Sequence, residues 1–543
     1  MLPERTSLGN QAAPVLEAAK MLQLDDIVAR IWAEDHTVWR DDPAEISNRL
    51  GWLTVSDDMR QRLPDLRAFA DQAKADGIQH VLLLAMGGSA LAPEVYRASI
   101  GTEPGYPRFT MIDSTVPGWV QKVTDSINPG KTLFILGSKS GSTVEVLTFY
   151  RYFRAQVLRA VGDDDVGNHF AAITDEGTIL HDMGQREGFR RVFLNPSNIG
   201  GRFSGLSLFG LVPAALMGID LDKFLDNIDS MREQCGPAVE VEHNPGAWLG
   251  TVIGTLAKKG VDKLTLVTSP SLASFGLWTE QMLAESLGKE GTGIIPVAAE
   301  PMVSPENYDN DRFFVYLRLK NDNNTATDAH LEALRMAGFT TICLHTNERI
   351  DLAGEMFRWA FATSVAGHIL GLHPFDQPNV QKAKDIAVAG LQAFQRDRHL
   401  PPIKVSDSVE RLLAQIQAND YLALLVYATQ SAALDEALVR FRKAIVERYH
   451  IATTAAYGPR YLHSTGQLHK GGPNSGLFLQ FIGETEKDIP VPGQPHTFGV
   501  LADAQSQGDI KALQEAGRRV ARYSLGSALA DNVDFLTQAI TAR

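Results

Sequence analysis

The 543-residue sequence holds only two cysteines, Cys235 and Cys343, without the spacing of a metal site. That excludes a disulfide scaffold and implies buried thiols in a reducing compartment. Long apolar runs are also missing. The stretches at 81–86 and 208–217 are interrupted or ended by Gly or Pro, short of the roughly 20 residues that span a bilayer. Glu4, Arg5 and Asn10 stand where an export signal needs a continuous apolar stretch, so no membrane association and a cytoplasmic location are expected. Positive charge is in deficit: a net charge of −13 repels nucleic acid and anionic membranes, so any anionic ligand has to meet a locally positive pocket. No tract of low complexity is present.

What is present is a globular composition, 44% hydrophobic and 21% charged, in a chain too long for one core. Apolar runs followed by Gly/Ser-rich turns and helical stretches recur at 81–89 and 132–143, which predicts α/β structure with parallel sheets. Further strands are expected at 170–173, 191–194, 263–267, 313–319, 340–345, 421–427, 477–482 and 497–502, and helices at 409–417, 433–449 and 510–522. The domains expected are an N-terminal tail or peripheral helix (1–40), a first α/β domain (41–242), a second (243–400), and, after Pro401-Pro402, a C-terminal α/β region (401–543) completing the second.

Six segments could carry chemistry. In Met86-Gly87-Gly88-Ser89, glycines and a helix start let backbone amides approach an anion, although Ser89 could simply cap the helix. Gly137-Ser138-Lys139-Ser140-Gly141-Ser142-Thr143 concentrates four hydroxyls and an ammonium at a helix start, an anion nest. Ser142 and Glu145 also match a capping box, which would use one hydroxyl and leave three. The glycines of Gly200-Gly201-Arg202 can turn Arg202 into a cavity, where a lone Arg is more often solvated. Glu285, near a helix end and followed by Gly288-Lys289, could act as a base or be a surface acid. In the run from His373 through Phe375-Asp376-Gln377 to Lys384, Lys382 and Lys384 face different ways on a helix, so at most one points into a site. His463 and His469, in the segment 460–472, lack a third ligand at metal spacing, so acid–base or hydroxyl contact is expected of them and no metal.

Together, Gly88-Ser89, Ser138–Thr143, Gly200–Ser204, Glu285–Lys289 and Phe375–Lys384 resemble, in order, the glucose-6-phosphate isomerase family. The segment from Gly458-Pro459-Arg460 to Gly472-Pro473 is most similar to the isomerase half of fused transaldolase–glucose-6-phosphate isomerase proteins. The resemblance implies paired sugar-isomerase domains and an aldose–ketose isomerase acting on a sugar phosphate. It implies no cofactor and a homodimer. By the same resemblance, Ser89, Ser138, Ser140, Ser142 and Thr143 would hold the phosphate with Lys139 nearby, and Gly88, Gly201 and Gln377 would contact substrate. Glu285 would be the base, Arg202 would stabilise an enediolate, Lys384 would assist ring opening, and His463, chosen over His469 for its spacing from Gln467-Leu468, would be the sugar-side histidine. Here that histidine segment follows the Phe-Asp-Gln segment, whereas the family pattern places it before. Mannose 6-phosphate as a further substrate, or a sugar-phosphate-binding regulator without turnover, are the alternatives.

Overall fold

The computed structural model describes residues 5–484 and 487–542. Its fourteen strands are β1 (Arg5–Ser7), β2 (His80–Ala85), β3 (Arg108–Ile112), β4 (Thr132–Gly137), β5 (Phe170–Thr174), β6 (Arg191–Leu194), β7 (Lys263–Thr268), β8 (Ile295–Ala298), β9 (Arg312–Leu319), β10 (Thr341–Thr346), β11 (Tyr421–Tyr427), β12 (Ala452–Tyr457), β13 (Gly476–Gly483) and β14 (Arg519–Gly526). They form three sheets, in the orders β3-β2-β4-β5-β6, β1-β10-β9-β7-β8 and β12-β11-β13-β14. Every pairing is parallel except that of β1 with β10.

The parallel strands are joined through helices, so central strands are covered on both faces. This is why β2, β4 and β11 read as unbroken apolar runs and are buried along their whole length. The segment 1–40, expected as a tail or peripheral helix, adds β1 to the edge of the second sheet and packs the helix Ala12–Leu24 against the helix Pro245–Lys258. Residues 401–543, expected to complete the second domain, carry a sheet of their own. Of the two cysteines, Cys235 is buried and Cys343 half-buried.

The stretch 497–502, expected as a strand, opens the helix Phe498–Glu515, with the Thr497 hydroxyl accepting from the Val500 amide at 3.2 Å. Its buried residues Phe498, Leu501, Ala502 and Gln505 follow helical spacing. That helix ends before Gly517, whose φ of +71° turns the chain into β14, so the helix expected to 522 is cut short. The strands β1, β3, β8, β12 and β14 come in addition to those expected.

All three sheets share one topology. Leaving aside the antiparallel edge strand β1, the first strand of each, β2, β7 or β11, has the second strand in chain order on one side and the third on the other. Between the carboxyl ends of the first and third strands the connections leave in opposite directions, and such a switch point is where doubly wound sheets bind ligands. Among the described residues, no helix is long and apolar enough to cross a membrane.

Candidate active site

At the switch point of the first sheet, β2 runs into Met86–Ser89 and β4 into Ser138–Thr143. The Ser138 and Thr143 hydroxyls lie 2.8 Å apart and those of Ser140 and Ser142 3.1 Å apart. Thr143 is the N-cap of the helix Val144–Val161 but makes no side-chain cap, which leaves the first-turn amides open to a ligand. Ser89 is buried at the start of the helix Gly88–Val95, next to Gly137. The Lys139 ammonium turns aside, 2.5 Å from Asp175 Oδ2 and 2.8 Å from the Ser197 carbonyl.

At the other two switch points the chain's own carboxylates hold loop amides, beside cavities of about 480 Å³ each. After β9, Asp322 accepts from the amides of Ser271 and Asn323, both at 2.8 Å. After β13, Asp488 accepts from the Gly499 amide at 2.8 Å and the Thr497 hydroxyl at 2.5 Å. At the first, a hydroxyl takes that place: the Ser142 amide donates to Ser140 Oγ at 3.4 Å.

Glu145 does not complete the expected capping box. Its buried carboxylate accepts from Gln505 Nε2 at 2.6 Å and lies 2.9 Å from His463 Nε2. Burial pushes this carboxyl up, but the charge and hydrogen bond of His463 outweigh it and hold the group below the usual carboxylate range. His463 ends a 3-10 turn after β12, so the third sheet delivers it to the crevice of the first. Gly87, at φ +54°, allows this approach: a Cβ there would sit 2.7 Å from the His463 carbonyl oxygen. His469 is instead buried beside Tyr461 and Phe478, where burial holds its imidazole well below the ordinary histidine value.

A cavity of about 320 Å³ is lined by Ser140, Ser142, Thr143, Lys384, His463 and Gln505, large enough for a small ligand. Lys382, two residues before Lys384, points elsewhere and pairs with Glu515 at 2.7 Å. Lys470 also lines the cavity, but its ammonium is 2.5 Å from Asp509.

A second group adjoins the cavity. Glu285 lies near the end of the helix Phe275–Leu287, and Gln281, one turn earlier, donates to Glu285 Oε2 at 2.9 Å and to the His463 carbonyl at 2.8 Å. Arg202 Nε lies 3.3 Å from the same Glu285 oxygen. The Arg202 guanidinium also bonds the carbonyls of Pro374 at 2.9 Å and Asp376 at 3.2 Å, and Gln377 Oε1. Gly88 brings the Arg202 turn close, since a Cβ there would overlap the Gly201 carbonyl; Gly201 itself faces open space. Lys289 secures the loop from the other side, its ammonium 2.5 Å from Asp376 Oδ1 and 2.8 Å from the His373 carbonyl. Burial, then the charge of Arg202, pushes this ammonium down to about 8.

The crevice thus gathers the hydroxyl nest, Lys384 and His463, with Glu285, Arg202 and Gln377 reached through Gln281. Sequence reasoning gave no site role to Gln505, Gln281 or Lys289 and read Glu145 only as a capping-box acid. The signal for Glu145 was its place directly after the nest.

The phosphoglucose isomerase family model matches residues 44–290, a span that includes the nest, Arg202 and Glu285. A protein of Methanococcus maripaludis named "Probable glucose-6-phosphate isomerase" is 28% identical over 381 residues, covering 63% of this chain and 84% of its own. The glucose-6-phosphate isomerase of Rubrobacter xylanophilus is 27% identical over 420 residues, covering 68% of this chain and 94% of its own. The crystal structure of a glucose-6-phosphate isomerase from Chlamydia trachomatis shares the fold, with a TM-score of 0.52 at 18% identity over 67% of this chain and 77% of its own. Over residues 44–290, which carry the nest, Arg202 and Glu285 but not Lys384 or His463, the chain is similar to the phosphoglucose isomerase family.

Proposed function

We propose that the chain is a cytoplasmic glucose-6-phosphate isomerase, interconverting glucose 6-phosphate and fructose 6-phosphate in glycolysis and gluconeogenesis. The observation that carries this reading is the first crevice, whose loop presents hydroxyls and uncapped helix amides where the other two hold a carboxylate, with a carboxylate and a histidine beside it. The phosphate sits among Ser138, Ser140, Ser142 and Thr143 and the free helix amides, with Ser89 behind them. His463, oriented by Glu145, exchanges a proton with the ring oxygen while Lys384 assists opening. Glu285 then carries a proton between C1 and C2, Arg202 balances the charge of the enediolate, and Gly88, Gly201 and Gln377 shape the sugar side.

Kinship to the isomerase half of fused transaldolase–glucose-6-phosphate isomerase proteins is part of this reading, supported by the segment 458–473. So is the homodimer, on the resemblance alone. Sedimentation of the purified protein measures that state. The decisive experiment is a coupled assay with fructose 6-phosphate and, separately, mannose 6-phosphate. Turnover of the first supports the proposal, turnover of both widens the substrate range, and binding of fructose 6-phosphate without turnover replaces the enzyme by a regulator.

A further inference from the structure

Behind the active site lies a second cavity of about 580 Å³, which shares no lining residue with the first. Parts of all three sheet units enclose it, including the helix Pro117–Asp125, the helix Phe275–Leu287, β12 and the turn Arg460–His463. Most of its charges are internally matched. Arg97 clasps Glu94 at 2.6 and 2.7 Å, Arg460 is paired with Asp113, and Asp435 accepts from Tyr457 at 2.6 Å and Gln430 at 3.1 Å. Two charged side chains are left. Glu280, only 8% exposed, forms no ion pair among the described residues. Lys122, at the exposed side, lies 4.9 Å over the Trp119 ring and meets no carboxylate among the described residues.

We propose that this cavity is a second ligand site. It takes a small zwitterion of amino-acid size, the ammonium on Glu280 and the acidic group on Lys122, and occupancy alters catalysis. A carboxyl this buried costs free energy unless a cation meets it. Burial pushes the Glu280 carboxyl up to about 8, against the opposing charge of Arg442 and the Ala298 amide. Arg442 acts on Glu280 through its charge without bonding it, its guanidinium being hydrogen-bonded to the carbonyls of Ala298, Ala299 and Thr453. Glu280 is therefore neutral at pH 7 in the empty cavity, and an arriving ammonium ionises it with release of one proton.

The coupling is built into shared elements. Gln281, the next residue on the same helix, holds both Glu285 and the His463 carbonyl. Arg460, Tyr461 and Ser464 line this cavity while Leu462 and His463 line the other. A ligand that displaces Glu280 or the turn moves the groups at the active site.

Calorimetric titration of the full chain with 6-aminohexanoate, in two buffers of different ionisation enthalpy, tests the site; hexanoate and hexylamine serve as half-molecule controls. The expected result is one event per chain that releases a proton and is stronger than either control. Glu280→Gln, isosteric with the neutral acid, should keep the isomerase activity of the unliganded protein and weaken binding about tenfold or more. Lys122→Ala should also weaken it. Saturating 6-aminohexanoate should shift kcat/KM in the unaltered chain and not in Glu280→Gln. Absence of binding, binding untouched by Glu280→Gln, or binding without a kinetic shift would each overturn the proposal.

Discussion

Replacing Glu285 by Gln keeps the shape of the side chain and removes its basicity. In the structure Gln281 Nε2 and Arg202 Nε both approach Glu285 Oε2, at 2.9 and 3.3 Å. An amide oxygen in that place accepts from both, so the geometry survives. A general base contributes about 10²–10⁴-fold, or about 2.7–5.4 kcal/mol of barrier at 1.36 kcal/mol per decade. kcat should fall by at least the lower figure while inhibitor binding stays. The side chain of Arg202, 3% exposed, loses its counterion but keeps its bonds to Pro374, Asp376 and Gln377. The stability loss should therefore stay below the roughly 3–5 kcal/mol of a broken buried pair. The assay follows turnover and deuterium uptake at C2 in heavy water, with thermal unfolding recorded in parallel. Near-full turnover with undiminished exchange would refute the reasoning, because another carboxylate would then be moving the proton.

The other predictions follow from the same geometry. Ser138→Ala with Ser140→Ala should raise KM about 10²-fold, from two hydrogen bonds to a charged group at about 1.5 kcal/mol each, and an unchanged KM would remove the nest from phosphate binding. Arg202→Ala should lower kcat by about 10²–10³-fold, as the loss of an oxyanion donor does; a change confined to KM would make Arg202 a binding residue. His463→Ala should slow turnover of cyclic substrate and spare an open-chain analogue, whereas His469→Ala should lower the melting temperature without that selectivity. His80 bears on acid stability: burial, then the charge of Arg108, holds its imidazole down to about 4. The unfolded chain thus takes a proton below about 6.5 that the folded chain resists, so stability falls as pH drops from 6.5 towards 4. In His80→Gln the melting temperature should fall less steeply over that range.

The fold was most legible where one strand is buried on both faces. The runs of β2, β4 and β11 are continuous because helices cover both sides, and their ends in Gly and Ser marked the turns. Legibility failed at short or polar strands such as β8, with four residues, and β14, whose Arg and Ser residues face partly outward. In the site, residues adjacent in sequence were legible as a nest. Glu145 was not, because its partner His463 lies 318 positions away and a local rule, the capping box, offered a nearer explanation for an acid three residues after Ser142. The position of His463 after the Phe-Asp-Gln segment looked like a disorder in the motif order. It follows from topology, since the third sheet brings its turn back over the first.

Three units with one strand order offer three equivalent crevices, so topology alone cannot decide where a phosphate goes. Local charge can. A carboxylate already bound to the loop amides, as Asp322 and Asp488 are, removes the donors a phosphate needs and adds a like charge where the dianion would sit. Two like charges 4 Å apart cost about 1 kcal/mol in water and about 4 kcal/mol near a protein surface, several times that for a dianion held in the cleft. The first crevice has neutral hydroxyls in place of that acid, and of its nearby carboxylates Glu145 is turned onto His463 and Gln505, Asp175 onto Lys139, and Asp385 accepts from Gln381. With its acid on the histidine instead of on the loop, the proposed anion site keeps its hydroxyls and helix amides, and His463 is held beside it. The second and third sheets contribute the elements that bring Glu285 and His463 to the first crevice.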